Sequence, residues 1–80
     1  MSAEKTLDKL LRGDSDANIR FEELRHLLQA KGFRPRVAGS HHIFTKPGVT
    51  ERINLQREGA NAKPYQVRQV RRILANYKLL

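Results

Sequence analysis

Apolar residues in the first third of the chain recur at intervals of three and four, which is the signature of helices that bury one face. From Ala3 to about Arg12 the leucines Leu7, Leu10 and Leu11 fall on one side, Ser2 stands where a cap belongs, and Gly13 supplies a left-handed stop. A polar connection, Asp14-Ser15-Asp16-Ala17-Asn18, separates this from a second helix. That helix is predicted from about Phe21 to Lys31, because Phe21, Leu24, Leu27 and Leu28 repeat the spacing, Glu22 and Glu23 suit its positive end, and Gly32 ends it.

The period then changes to two. Phe33, Pro35 and Val37 alternate with Arg34 and Arg36, predicting a short strand, and Pro35, which lacks an N–H for a ladder, places that strand at a sheet edge with both arginines exposed. Gly39-Ser40 turns the chain into a second strand, His41 to Lys46, and Pro47-Gly48 turns it into a third, Glu51 to Gln56, with Ile53 and Leu55 facing inward. A loop from Arg57 to Lys63 leads to Pro64, which suits the first position of a closing helix that buries Val67, Val70, Ile73, Leu74 and Tyr77. Phe44 and Tyr65 read as core or helix-end packing rather than as platforms for bases. The fold class predicted is α+β: a three-stranded antiparallel sheet with helices on one face and its other face left to solvent or to a partner.

Length narrows the picture further. Eighty residues make one small domain, which buries only about 60% of the surface its unfolded chain exposes. Without cysteine there is neither a disulfide framework nor a thiolate metal site; no metal or cofactor is expected, on the chemistry taken up below. No stretch approaches the roughly 20 apolar residues of a membrane span. The expectation is a soluble, cytoplasmic protein without membrane association.

Charge adds a direction. The chain carries a net +8, yet Met1 to Gly32 is neutral, with Lys5, Lys9, Arg12, Arg20, Arg25 and Lys31 balanced by Glu4, Asp8, Asp14, Asp16, Glu22 and Glu23. From Phe33 onward ten lysines and arginines face only Glu51 and Glu58. A polyanion is the natural partner of such a half. Lys63 with Arg68, Arg71 and Arg72 forms a basic ridge at spacings of three and four, beginning at a helix N-terminus whose free amides suit a phosphate. Arg34, Arg36, Arg52 and Arg57 are further helpers.

The same half holds Gly39-Ser40-His41-His42-Ile43-Phe44. From the residues alone, the two histidines are polar strand positions facing opposite sides, so at most one lines a given site unless a bulge intervenes. They lack the spacing and companion carboxylates of a metal site, and His26, one helical turn after Glu22, reads as that residue's solvated partner.

Leu24, Leu27 and Leu28, then Gly32-Phe33, the Gly39–Phe44 element and the helix from Pro64 together resemble the HicA family of toxin ribonucleases, over roughly residues 20 to 78. The resemblance implies a double-stranded-RNA-binding-like fold, which is also the order read above. It implies that His41 is the catalytic residue, a general base that takes the proton of an RNA 2′-hydroxyl. An imidazole with its ordinary pKa of about 6.5 suits that step, and one such base contributes roughly 10²–10⁴-fold, so cleavage would be slow and metal-free. Gly39 and Ser40 would let the RNA backbone approach, with Lys63, Arg68, Arg71 and Arg72 as RNA contacts. The expected partners are mRNA and a cognate antitoxin of HicB type with an acidic face. Many family members follow the third strand with a Pro-x-His element, whereas this chain reads Ile53-Asn54-Leu55-Gln56-Arg57-Glu58, which leaves Gln56 to supply a hydrogen bond there. The alternative reading is a non-catalytic RNA-binding module of the same fold; a third is an interaction subunit for an acidic protein.

Overall fold

The computed structural model describes residues 2–80. Its first helix, α1 (Ala3–Arg12), is capped by the Ser2 hydroxyl, which accepts from the Lys5 N–H at 3.4 Å, and closed by Gly13 at φ 72°. The buried stripe differs from the expected one. Leu10 is fully buried and Leu7 partly so, but Leu11 is 50% exposed and Thr6 lies inside instead, its hydroxyl donating to the Ser2 carbonyl at 3.2 Å. Ala3, Thr6, Leu7 and Leu10 are the true i, i+3, i+4, i+7 set, and Leu11 sits about 100° further around the helix.

A single 3₁₀ turn, Asp16–Asn18, interrupts the polar connection, and Ile19 after it is completely buried. The second helix, α2 (Phe21–Ala30), starts where Glu23 accepts from the Arg20 backbone N–H at 3.1 Å and ends before Gly32 at φ 93°. Phe21, Leu24, Leu27 and Leu28 all face the core, as their spacing requires.

Strands β1 (Arg34–Ala38), β2 (His41–Lys46) and β3 (Val49–Leu55) form an antiparallel sheet in that order. The proline-bearing β1 is an edge strand. Cross-strand register assigns the faces: Pro35, Phe44 and Ile53 are directly opposed on the core side with Val37, His42 and Leu55, whereas Arg36, Ile43 and Asn54 are opposed on the outer side, where Ala38 faces His41. Beyond Phe44 the register slips, Lys46 lying opposite Val49, so β3 carries an irregularity around Thr50–Arg52 and begins two residues earlier than predicted.

The stretch expected as a loop holds a small ribbon. Strands β4 (Arg57–Glu58) and β5 (Asn61–Ala62) pair around Gly59 at φ 63°. The Ala62 N–H donates to the Ile19 carbonyl at 2.9 Å and the Phe21 N–H to the Ala60 carbonyl at 3.0 Å, so the ribbon clasps the entry to α2. Helix α3 (Pro64–Asn76) follows with proline in its first turn and with Val67, Val70, Ile73 and Leu74 buried; Tyr77 lies just past its end, half-buried. All three helices contribute to one core with Phe44, Ile53 and Leu55 of the sheet, which leaves the outer face of the sheet open.

Candidate catalytic and nucleic-acid site

His41 opens β2 on the outer face and is exposed; His42, its neighbour, points the other way. The His42 ring meets Phe21 edge-on, centroids 4.7 Å apart, and the Arg57 guanidinium stands over the Phe21 ring, 4.2 Å from its centroid. Arg57 in turn binds Glu22 at 2.5 Å. His42 is therefore a packing residue, and the alternation along the strand separates the two imidazoles as expected.

Both nitrogens of His41 have partners. Nδ1 lies 3.1 Å from Asn54 Oδ1 and Nε2 lies 3.4 Å from Gln56 Nε2, while Gln56 Oε1 accepts from Lys63 Nζ at 3.2 Å. The chain of bonds has one consistent polarity. An ammonium can only donate, so Lys63 turns the amide oxygen of Gln56 toward itself and the amide NH₂ toward His41. Nε2 must then accept, the ring proton sits on Nδ1, and Asn54 receives it through its carbonyl oxygen. The backbone adds to this, because the Gln56 N–H donates at 2.8 Å to Oε1 of Gln66, a glutamine buried on α3. The arrangement aims Nε2 as the acceptor of the pair, a position that opens to a substrate as soon as Gln56 moves aside.

Gly39 and Ser40 form the two-residue hairpin turn before His41, Gly39 at φ 62°, where glycine is the least strained residue. Both are exposed, and a Cβ on Gly39 would meet no atom within 4 Å, so the space above the turn is open. Lys63 caps α3 and brings that helix's N-terminus to the His41 network. The rest of the expected ridge is divided. Arg68 and Arg72 are exposed, four residues apart on the side of α3 that also exposes Tyr65 at 56%, which corrects the expectation that Tyr65 packs. Arg71 is mostly shielded: its guanidinium forks onto Asp16 at 2.9 and 2.9 Å and donates to the Leu10 carbonyl at 3.1 Å, so both of its terminal nitrogens are engaged within the protein. It holds the Asp16 carboxyl below the usual carboxylate range. The pairing expected of His26 with Glu22 is also corrected. Glu22 is engaged by Arg25 at 2.6 Å and by Arg57, which in that order keep its carboxyl below the usual range, and His26 is exposed.

Asn54, Arg36 and Arg52 join the site, although on sequence alone Arg36 and Arg52 are only helpers and Asn54 has no part. Arg36 and Arg52 flank Ile43 and Thr45 around a shallow depression of about 230 Å³ on the outer sheet face. Their alternation with Ile53 and Leu55 or with Pro35 and Val37 was visible; which of them lies beside His41 depended on register, which no local pattern supplies. Among the described residues no group of three or more histidines and carboxylates comes together as a metal site would require, and no helix is long and apolar enough to cross a membrane.

The family model for the HicA toxin of bacterial toxin–antitoxin systems matches residues 21–75, which contain the whole sheet, the Gly39–His41 turn and the Gln56–Lys63 link. The chain belongs to the HicA toxin family. No curated protein and no solved structure gave a match. The match begins at Phe21 and so leaves out α1, although Leu10 of that helix is as buried as any residue of the HicA core. Helix, three antiparallel strands and helix within the matched span are the double-stranded-RNA-binding-like arrangement of this family.

Proposed function

We propose that this HicA-family chain is a metal-independent ribonuclease that acts on mRNA in the cytoplasm, with His41 as general base. Nε2 of the neutral ring takes the 2′-hydroxyl proton, the 2′-oxygen bonds to phosphorus, and the bond from phosphorus to the 5′-oxygen breaks. The same imidazolium then returns its proton to the leaving oxygen, leaving a 2′,3′-cyclic phosphate and a 5′-hydroxyl. Lys63, two hydrogen bonds along the network, and the positive end of α3 favour the negative charge that gathers on the phosphate. Gly39 and Ser40 leave room for the backbone of the substrate, and Arg68 and Arg72 hold phosphates further along α3. The reading is carried by one observation, the hydrogen-bond chain from Lys63 through Gln56 that presents an amide donor to Nε2 of His41. Because one base with no second histidine is at work, turnover is slow. Helix α1 belongs to the same working unit, since Leu10 and its carbonyl are built into the core and the Arg71 contact. An acidic antitoxin of HicB type silences the toxin by covering His41.

End-labelled RNA incubated in chelator with the intact chain, His41→Ala and His42→Ala tests this. Cleavage by the intact chain and by His42→Ala, lost in His41→Ala, is expected. RNA that is bound but left whole by the intact chain would instead make it a binding module, a reading favoured by the fact that Gln56 already occupies Nε2 and that no histidine follows β3.

A further inference from the structure

The outer face of the sheet has an uncommon composition for an exposed surface of so small a protein. Arg34 and Arg36 of β1 and Arg52 of β3 lie on it by register or by lining the depression, with Ile43 at its centre and His41 at its margin. Among the described residues none of these arginines forms an ion pair. The three strands contain one acid, Glu51, and its carboxylate is turned to the helix side, where the Tyr77 and Thr50 hydroxyls bind it. Three uncompensated positive charges on one face repel one another in the free protein and attract a polyanion.

Spacing narrows the polyanion. Residues two apart on a strand are about 6.6 Å apart, and β1 and β3 are about 9.6 Å apart across β2. Arg36 is therefore the diagonal same-face neighbour of His41, within about 7–8 Å at the backbone, and Arg52 stands on the opposite flank of Ile43. A duplex would meet such a face with a rigid, convex backbone, and the shallow apolar floor between the arginines would stay empty. A single strand can lay a base edge or face on Ile43 and its phosphates on either side.

We infer that the outer sheet face is a single-stranded RNA track, with Arg36 and Arg52 holding the phosphates next to the one placed at His41. The inference rests on the ribonuclease reading for the choice of RNA as the polyanion. It runs the substrate from the α3 N-terminus past His41 onto the face of the sheet opposite the helices, so that strand register sets which phosphate reaches the imidazole.

The test uses the full chain carrying His41→Ala, so that RNA survives, and a short fluorescein-labelled single-stranded RNA of mixed sequence, with its duplex for comparison. Anisotropy titrations across a salt series are made for this background, for Arg36→Gln with Arg52→Gln added, and for a charge-matched control with Lys5→Gln and Arg12→Gln on α1. Loss of the two sheet arginines is expected to weaken single-strand binding about tenfold at low salt. It should also reduce the slope of log affinity against log salt by about 1.4, at about 0.7 per phosphate contact. The α1 control should change neither. Equal binding by all three proteins overturns the inference. So does tighter binding of the duplex that ignores the sheet arginines. Loss of antitoxin capture, but not of RNA binding, in the sheet variant would make the face a protein interface and also overturn it. The two readings fail separately: an intact chain that binds on this face without cutting removes the ribonuclease, and one that cuts with an unchanged kcat/KM when Arg36 and Arg52 are replaced removes the track.

Discussion

A lysine side chain can only donate, and here that property reaches the imidazole of His41 through an intervening amide. Lys63→Met should release Gln56 to rotate, let the ring proton distribute between both nitrogens, and lower cleavage by about 2- to 10-fold, the worth of one hydrogen bond of about 0.5–1.5 kcal/mol. Ring nitrogen shifts of His41 in an NMR spectrum provide the check. A single Nδ1-protonated form in the variant would show that Asn54 suffices and that Lys63 does not act through Gln56. At this scale the sequence was partly legible. His41 stood out because a glycine-serine turn precedes it, and Gln56 because it replaces a histidine expected there. Asn54 did not, since a polar residue between Ile53 and Leu55 is what any half-exposed strand shows.

Arg71 joins elements rather than meeting a ligand: it ties α3 to the 3₁₀ turn through Asp16 and to the end of α1 through the Leu10 carbonyl. Both side chains of the pair are mostly shielded, at 26% and 14% exposure. Removing the arginine leaves a carboxylate and a carbonyl without partners, so Arg71→Met should cost about 1.5–3 kcal/mol and lower the melting temperature by about 4–8 °C for each kcal/mol, while leaving the salt dependence of RNA binding unchanged. The pair also sets an acid limit. The carboxyl of Asp16 has a lower pKa folded than the roughly 3.9 of an unfolded chain, so its contribution is complete above that value and is lost as pH falls through the folded pKa. Urea titrations should show the intact chain losing stability below about pH 4 and Asp16→Asn losing less over the same range. Leu10→Ala should cost about 2–5 kcal/mol, which in a domain this small threatens folding outright; a cost near zero would detach α1 from the core. Spacing revealed the helices, but an arginine on a basic ridge looks the same whether it meets phosphate or a distant aspartate, because that pairing spans 55 positions of sequence.

For the whole molecule, the contrast between a neutral first half and a basic second half has a structural resolution. Glu22, Glu23 and Asp16 of the first half bind Arg25, Arg57, Lys9 and Arg71, and the cations left over are concentrated on the open sheet face and on α3. Heparin at low salt should therefore raise the melting temperature, and the gain should vanish by about 0.5 M salt as screening shortens the reach of the charges; a gain that persists at high salt would point to apolar binding instead. The helix-strand-strand-strand-helix order was legible because each element has its own period, whereas the β4–β5 ribbon and Ile19 were not, since two-residue pairings and a lone apolar residue leave no period to detect. One linkage in this architecture has a genetic meaning. Gln66 belongs to the core, yet its side chain carries the backbone of the residue that touches His41. A selection for cells that survive this toxin should thus recover lesions at codon 66 alongside codon 41, and among them should be full-length, soluble proteins that are harmless although every group that meets RNA is intact.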